Sequence, residues 1–125
     1  MSNPNYILST VHGHAVVATI LEERMRDYQR IEQIKEELLS VFGTEACKHA
    51  IIDLCRVRFV GSVGFLAFLA VRRLAGVENV VLCNLDESIR ELFLICRLIS
   101  DTEHTQAPFQ VCEDIETALA LCGSM

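Results

Sequence analysis

Ser62 stands in the run Phe59-Val60-Gly61-Ser62-Val63-Gly64-Phe65, a hydroxyl between two glycines where strand-like residues give way to helix-like ones. Two glycines permit a sharp turn and the close approach of another molecule. At the start of a helix the hydroxyl can cap free amides of the first turn. A phosphate carried there would meet the same amides and the positive end of the helix dipole. The local pattern therefore supports two readings, a capping serine and a phosphoacceptor. Other chemistries ask for more than the run supplies. A hydrolase nucleophile elbow needs glycine two residues before the serine, where Val60 stands, and the residues that follow in that chain order, Asp101 and His104, share one polar loop. A Walker loop needs Gly-Lys-Ser/Thr after the glycines, which is missing here. His12 with His14, and Cys47 with His49, are of metal-ligand type, but neither pair completes a four-ligand pattern, so neither a metal nor a cofactor is expected.

The elements that must position Ser62 can be read from periodicity. Tyr6 to Val11 and His14 to Leu21 are apolar, β-branched runs separated by His12-Gly13, which predicts two strands and a tight turn. From Glu22 the apolar residues Met25, Tyr28, Ile31, Ile34, Leu38 and Phe42 recur at three- and four-residue steps. They predict one long amphipathic helix ended by Gly43, with Glu32, Lys35 and Glu36 on a solvated face. Ala50 to Leu54 predicts a buried central strand, with Val57 to Val60 continuing towards the turn. Phe65 to Leu74 then reads as a helix closed by Arg72 and Arg73 and stopped at Gly76. Asn79 to Cys83 is a further strand, Asp86 an N-cap, and Glu87 to Leu98 a third helix. After a polar loop from Asp101 to Pro108, Phe109 to Cys112 and Asp114 to Leu121 predict a last strand and helix. Strands alternating with helices give an α/β fold with helices packed on a sheet.

Composition limits the function. The chain has 125 residues, of which 51% are hydrophobic and two are proline, enough for a single domain over residues 1–125 with a substantial core. Eleven basic and seventeen acidic residues give a formal charge of −6, which argues against binding nucleic acid directly. No Lys or Arg precedes Arg24, so the charged start of a secretory signal is missing. The apolar run from Phe59 to Val71 falls short of the about 20 residues a spanning helix needs, so no membrane span is expected. The six cysteines are scattered, with no Cys-x-x-Cys pair. They read as structural thiols of a reduced, cytoplasmic protein.

Asp53-Leu54, Val57, Phe59-Val60 and Gly61-Ser62-Val63-Gly64-Phe65 together resemble the central motif of STAS domains, and specifically of bacterial anti-sigma factor antagonists. Val80 to Cys83, Leu85 to Phe93 and Phe109 to Leu121 are similar to the family's later strands and helices, so the resemblance covers nearly the whole chain. It implies a STAS-like mixed β-sheet of four to five strands packed against about four helices. It also implies a non-enzymatic signalling domain that binds a kinase-like anti-sigma factor of the histidine-kinase-like ATPase type. In such proteins the serine of this motif is phosphorylated by that partner, and a serine phosphatase resets it. The resemblance places phosphorylation at Ser62 and partner contact at Gly61, Ser62, Val63, Gly64 and Phe65.

This chain departs from the pattern at several positions. The family's Asp is Gly61 here, its second Ser/Thr is Val63, and the glycine before the leucine ending the third helix is Arg97. The first helix starts Glu22-Glu23-Arg24, without the family's early Gly-Glu-hydrophobic-Asp segment. These differences imply a divergent member with altered contacts. They keep open the alternative of a STAS scaffold or ligand-sensing interaction module that is not phosphorylated.

Overall fold

The computed structural model describes residues 6–44, 46–100 and 107–123. Asp101 and His104, and most of the polar loop expected between Asp101 and Pro108, lie outside the described residues. Strand β1 (Ile7–His12) and strand β2 (Ala15–Ile20) form an antiparallel hairpin, closed by Gly13 with φ of +62° and His14. A left-handed backbone at the first turn position suits glycine, which explains a loop of only two residues. Three parallel strands complete the sheet: β4 (His49–Asp53) beside β2, then β6 (Asn79–Cys83), then β7 (Gln110–Cys112). The order is β1-β2-β4-β6-β7, the mixed sheet expected from the sequence.

Central strands β4 and β6 are apolar on both faces because helices cover both. Helices α1 (Tyr28–Phe42), α2 (Gly64–Arg72) and α3 (Glu87–Ile95) pack on one face, and α4 (Ile115–Gly123) on the other. On α1, Ile31, Ile34, Leu38 and Phe42 are buried at the three-and-four spacing read in the sequence. Fully burying side chains of this size stabilises by about 1.5–3 kcal/mol each. Phe68, Phe93 and Phe109 meet edge to face between α2, α3 and the approach to β7, with ring centroids 5.6 to 6.5 Å apart.

The first helix begins later than its periodicity predicts. Asp27 is the N-cap and accepts from the amides of Gln29 and Arg30. Upstream of it, Arg24–Met25 forms strand β3, which pairs in parallel with β5 (Phe59–Val60) as a separate two-stranded sheet. Met25 thus sits at the right spacing for the helix face but belongs to a strand. The segment expected to continue from the central strand likewise leaves the main sheet.

The third helix also stops early, at Ile95. Its end is a Schellman arrangement in which Leu98 N–H donates to the Phe93 carbonyl at 2.9 Å and Arg97 N–H to Leu94 at 3.0 Å. Arg97 takes φ of +60°, the left-handed conformation that glycine adopts at least cost. Asp86 caps this helix and Gly43 ends α1, as expected. The second helix runs Gly64–Arg72 and ends before Gly76.

All six cysteines are free thiols. Cys47, Cys83 and Cys122 are buried, Cys112 is half-buried, and Cys55 and Cys96 are exposed. Burial, followed by the charge of Asp53, pushes the Cys83 thiol up to about 12, as suits an inert core group. Among the described residues, no helix is long and apolar enough to cross a membrane.

Candidate functional site

The Ser62 turn is built by backbone contacts between segments far apart in sequence. Arg58 and Phe59 N–H both donate to the Glu23 carbonyl, at 2.8 and 3.2 Å, and Gly61 N–H donates to the Met25 carbonyl at 2.8 Å. Gly64 N–H then donates back to the Gly61 carbonyl at 2.9 Å, which closes the turn. Gly64 opens α2 pressed against this support. A Cβ there would lie 2.8 Å from Val60 Cγ1 and 3.2 Å from the Met25 carbonyl oxygen, so glycine is required by close approach. Gly61 is different, because a Cβ on it would meet its nearest atom at 3.5 Å, an ordinary contact.

Ser62 is exposed at the apex of this turn. The capping role considered for it is not adopted. Val63 occupies the N-cap position with φ −69° and ψ −23°, and no side chain caps α2. The hydroxyl is bonded to no other described residue and is open to a reagent arriving from solvent.

The five residues expected to form the contact differ in accessibility. Ser62 is exposed, Gly61, Val63 and Phe65 are half-buried, and Gly64 is buried. The Phe65 ring turns inward, edge-on to Phe93 at 4.9 Å. Two apolar side chains outside that set lie before and after Ser62 along the chain: Phe59 is 45% exposed and Leu66 52%. A signal for Leu66 was present. Gly64, Ala67, Phe68 and Val71 form the buried stripe of α2 at helical spacing, which turns position 66 outward.

Behind the turn, Asp53 ends β4 as the one buried charged residue among those described, 4% exposed. Its carboxylate accepts from the Thr19 hydroxyl at 2.9 Å, the Cys55 amide at 3.0 Å and the Asn84 side-chain amide at 2.9 Å. Asn84 reaches it from a left-handed backbone at φ +58°. A carboxylate with three donors is satisfied, so Asp53 acts as a tie between the ends of β2, β4 and β6.

The histidine pairs do not converge on an ion. His12 Nε2 is bonded to the Thr10 hydroxyl, His14 Nδ1 donates to the Ala46 carbonyl, and the Asn79 side-chain amide donates to His49 Nδ1, each at 3.0 Å. Cys47 Sγ donates to its neighbour His49's carbonyl. These three histidines line a cavity of about 500 Å³ with Leu119 and Cys122, at the end of the sheet where β2 and β4 begin. Among the described residues, no group of three or more His, Cys, Asp or Glu side chains is placed to hold a metal.

The STAS domain family model matches residues 10–118. Among solved structures, the chain is similar to the anti-sigma factor antagonist SpoIIAA in its unphosphorylated form. The TM-score is 0.64 at 18% identity, covering 95% of this chain and 99% of that one. It is also similar to a serine-to-glutamate variant of RsbS from Moorella thermoacetica, with a TM-score of 0.70 at 18% identity, covering 96% of this chain and 97% of that one. At this identity the likeness is one of fold. No curated protein matches the chain.

Proposed function

The chain belongs to the STAS domain family, and on that premise we propose that it works as an anti-sigma factor antagonist-like signalling domain. It docks a kinase-like anti-sigma factor in the cytoplasm, without catalysis of its own. The observation that carries this reading is the placement of Ser62, an exposed and unbonded hydroxyl on a turn between exposed Phe59 and Leu66. Apolar side chains around one modifiable group suit a protein interface, where the apolar area supplies affinity and the central group decides occupancy.

In the modifying step the Ser62 oxygen bonds to the γ-phosphorus of ATP held by the partner. ADP leaves and the hydroxyl proton passes to a base or to water. The product carries about two added negative charges at a surface that must be desolvated for docking, so phosphorylation opposes binding. A serine phosphatase returns the hydroxyl.

A second reading, a STAS scaffold or ligand-sensing module without phosphorylation, is favoured by Gly61 and Val63. They remove the carboxylate and the second hydroxyl that the family motif carries at these positions. Incubation with a kinase-like anti-sigma factor, ATP and magnesium separates the two by intact mass. A gain of one phosphate that Ser62→Ala abolishes is the expected result. Complex formation without any mass gain overturns the phosphoacceptor reading in favour of the scaffold.

A further inference from the structure

Exposed arginines stand on both sides of buried Met25, Arg24 in β3 and Arg26 in the turn just after it. The register sets Arg24 beside Phe59 and Met25 beside Val60, and just beyond it Gly61 N–H donates to the Met25 carbonyl, which brings Gly61 beside Arg26. A Cβ on Gly61 would lie 3.7 Å from Arg26 Cβ, so a side chain at position 61 and that of Arg26 would share one space. Glycine leaves that space to the arginine alone.

The acids nearby are occupied or set apart. The Asp27 carboxylate accepts from the amides of Gln29 and Arg30, at 2.9 and 3.4 Å. Glu22 pairs with Arg30 at 2.9 Å, and Glu23 precedes β3 at the end away from Gly61. On the approach to β5, Arg56 is exposed and the Arg58 guanidinium donates to the Cys55 and Val57 carbonyls. Helix α2 offers no charged residue before Arg72. Arg26 has no ion-pair partner among the described residues. On a chain of net charge −6, Arg24, Arg26 and Arg56 are nonetheless exposed on and around β3 and β5.

We propose that Arg26 receives the phosphate of phosphorylated Ser62 on the same domain, holding the modified turn as an arginine–phosphoserine ion pair. This rests on Ser62 being a phosphoacceptor. Neighbouring strands about 4.8 Å apart and one residue step of about 3.8 Å put the two Cα atoms about 6 Å apart, within reach of an extended guanidinium. The planar fork of arginine matches two phosphate oxygens. The family's carboxylate at position 61 would instead stand against Arg26 and compete for it. The lost acid and the free arginine are thus one feature: the turn has exchanged a negative neighbour for a positive one. The phosphate is partly neutralised where it stands, so the phosphorylated form repels an acidic partner less than a bare phosphate would.

The test inserts phosphoserine at position 62 by genetic encoding, so it needs no kinase, and follows the second phosphate ionisation by phosphorus NMR. A nearby cation favours the dianion and lowers its pKa. The expected value is roughly half a pH unit below that of the same protein carrying Arg26→Ala. The difference should collapse in about 1 M salt, where the screening length falls to about 3 Å. Arg26→Gln keeps the side-chain length and serves if the alanine variant folds poorly. Arg24→Ala should move the ionisation less, and Gly61→Asp should raise it by competing for Arg26. Equal values with and without Arg26, or an effect of Arg24 as large as that of Arg26, overturn the ion pair. A shift in this titration without any kinase-dependent mass gain removes the phosphoacceptor reading while leaving the affinity of Arg26 for phosphate measured.

Discussion

Gly61 and Gly64 stand one residue before and two residues after Ser62, and replacing each by alanine is expected to have different consequences. At Gly64 the new methyl would sit 2.8 Å from Val60 Cγ1, 3.2 Å from the Met25 carbonyl oxygen and 3.4 Å from Met25 Cβ. None of these can move freely. The carbonyl is held by the Gly61 amide at 2.8 Å, and Val60 and Met25 are 2% and 0% exposed. Overpacking of this kind costs about 1–3 kcal/mol, while alanine regains at most about 1 kcal/mol of helix propensity, and less at a first helical residue. The net expectation for Gly64→Ala is a loss of about 1–2 kcal/mol, or a fall in Tm of about 3–8 °C for a chain of this size. Gly61→Ala meets only ordinary contacts at an unstrained backbone and should stay within about 0.5 kcal/mol of the parent. Urea unfolding followed by circular dichroism reads both, with the midpoint moving and the slope constant. A Gly64→Ala protein as stable as the parent would refute the argument that contact with Met25 fixes the turn.

Two further expectations follow from local geometry. Arg97→Gly relieves a left-handed backbone at φ +60° and should raise stability by about 0.5–1 kcal/mol, seen as a higher urea midpoint; a lower midpoint contradicts it. The Asp114 carboxyl is held below its usual range, first by the Thr117 amide at 2.8 Å and then by the Thr117 hydroxyl. A depressed folded pKa contributes stability that is fully present above the unfolded value of about 3.9 and is lost as pH falls through the lower folded value. The stability gap between the parent and Asp114→Asn should therefore narrow below about pH 4; a gap that stays constant between about pH 3 and pH 7 would count against this cap.

The five main strands and four helices were legible because each carries enough residues to express a period. The stripe of Ile31, Ile34, Leu38 and Phe42 is an example. β3 is two residues long and expresses none, so Met25 was absorbed into the helix whose spacing it matches. Asp27 is an ordinary N-cap type, but the charged run before it offered no break in pattern to mark it. Ser62 was located correctly between strand and helix, yet its bland role failed because the helix starts two residues later, at Gly64, and its amides face other partners. Arg97 was noticed as a missing glycine, and the structure supplies the physical reason: the backbone there is left-handed. Arg26 was invisible from sequence, since its place beside Gly61 depends on a pairing between distant segments.

That pairing also bears on how the molecule is assembled. β3 and β5 join across a loop that contains all of α1 and β4, and their ladder is only two residue pairs long, extended by the bonds of the Arg58, Phe59 and Gly61 amides. Contacts that close long loops form late, and small units with few hydrogen bonds open first. The Ser62 turn is thus completed last in folding and frays earliest, with its amides exchanging ahead of those in β4 and β6. A partner that reads this turn inspects the finished domain and passes over any chain still folding.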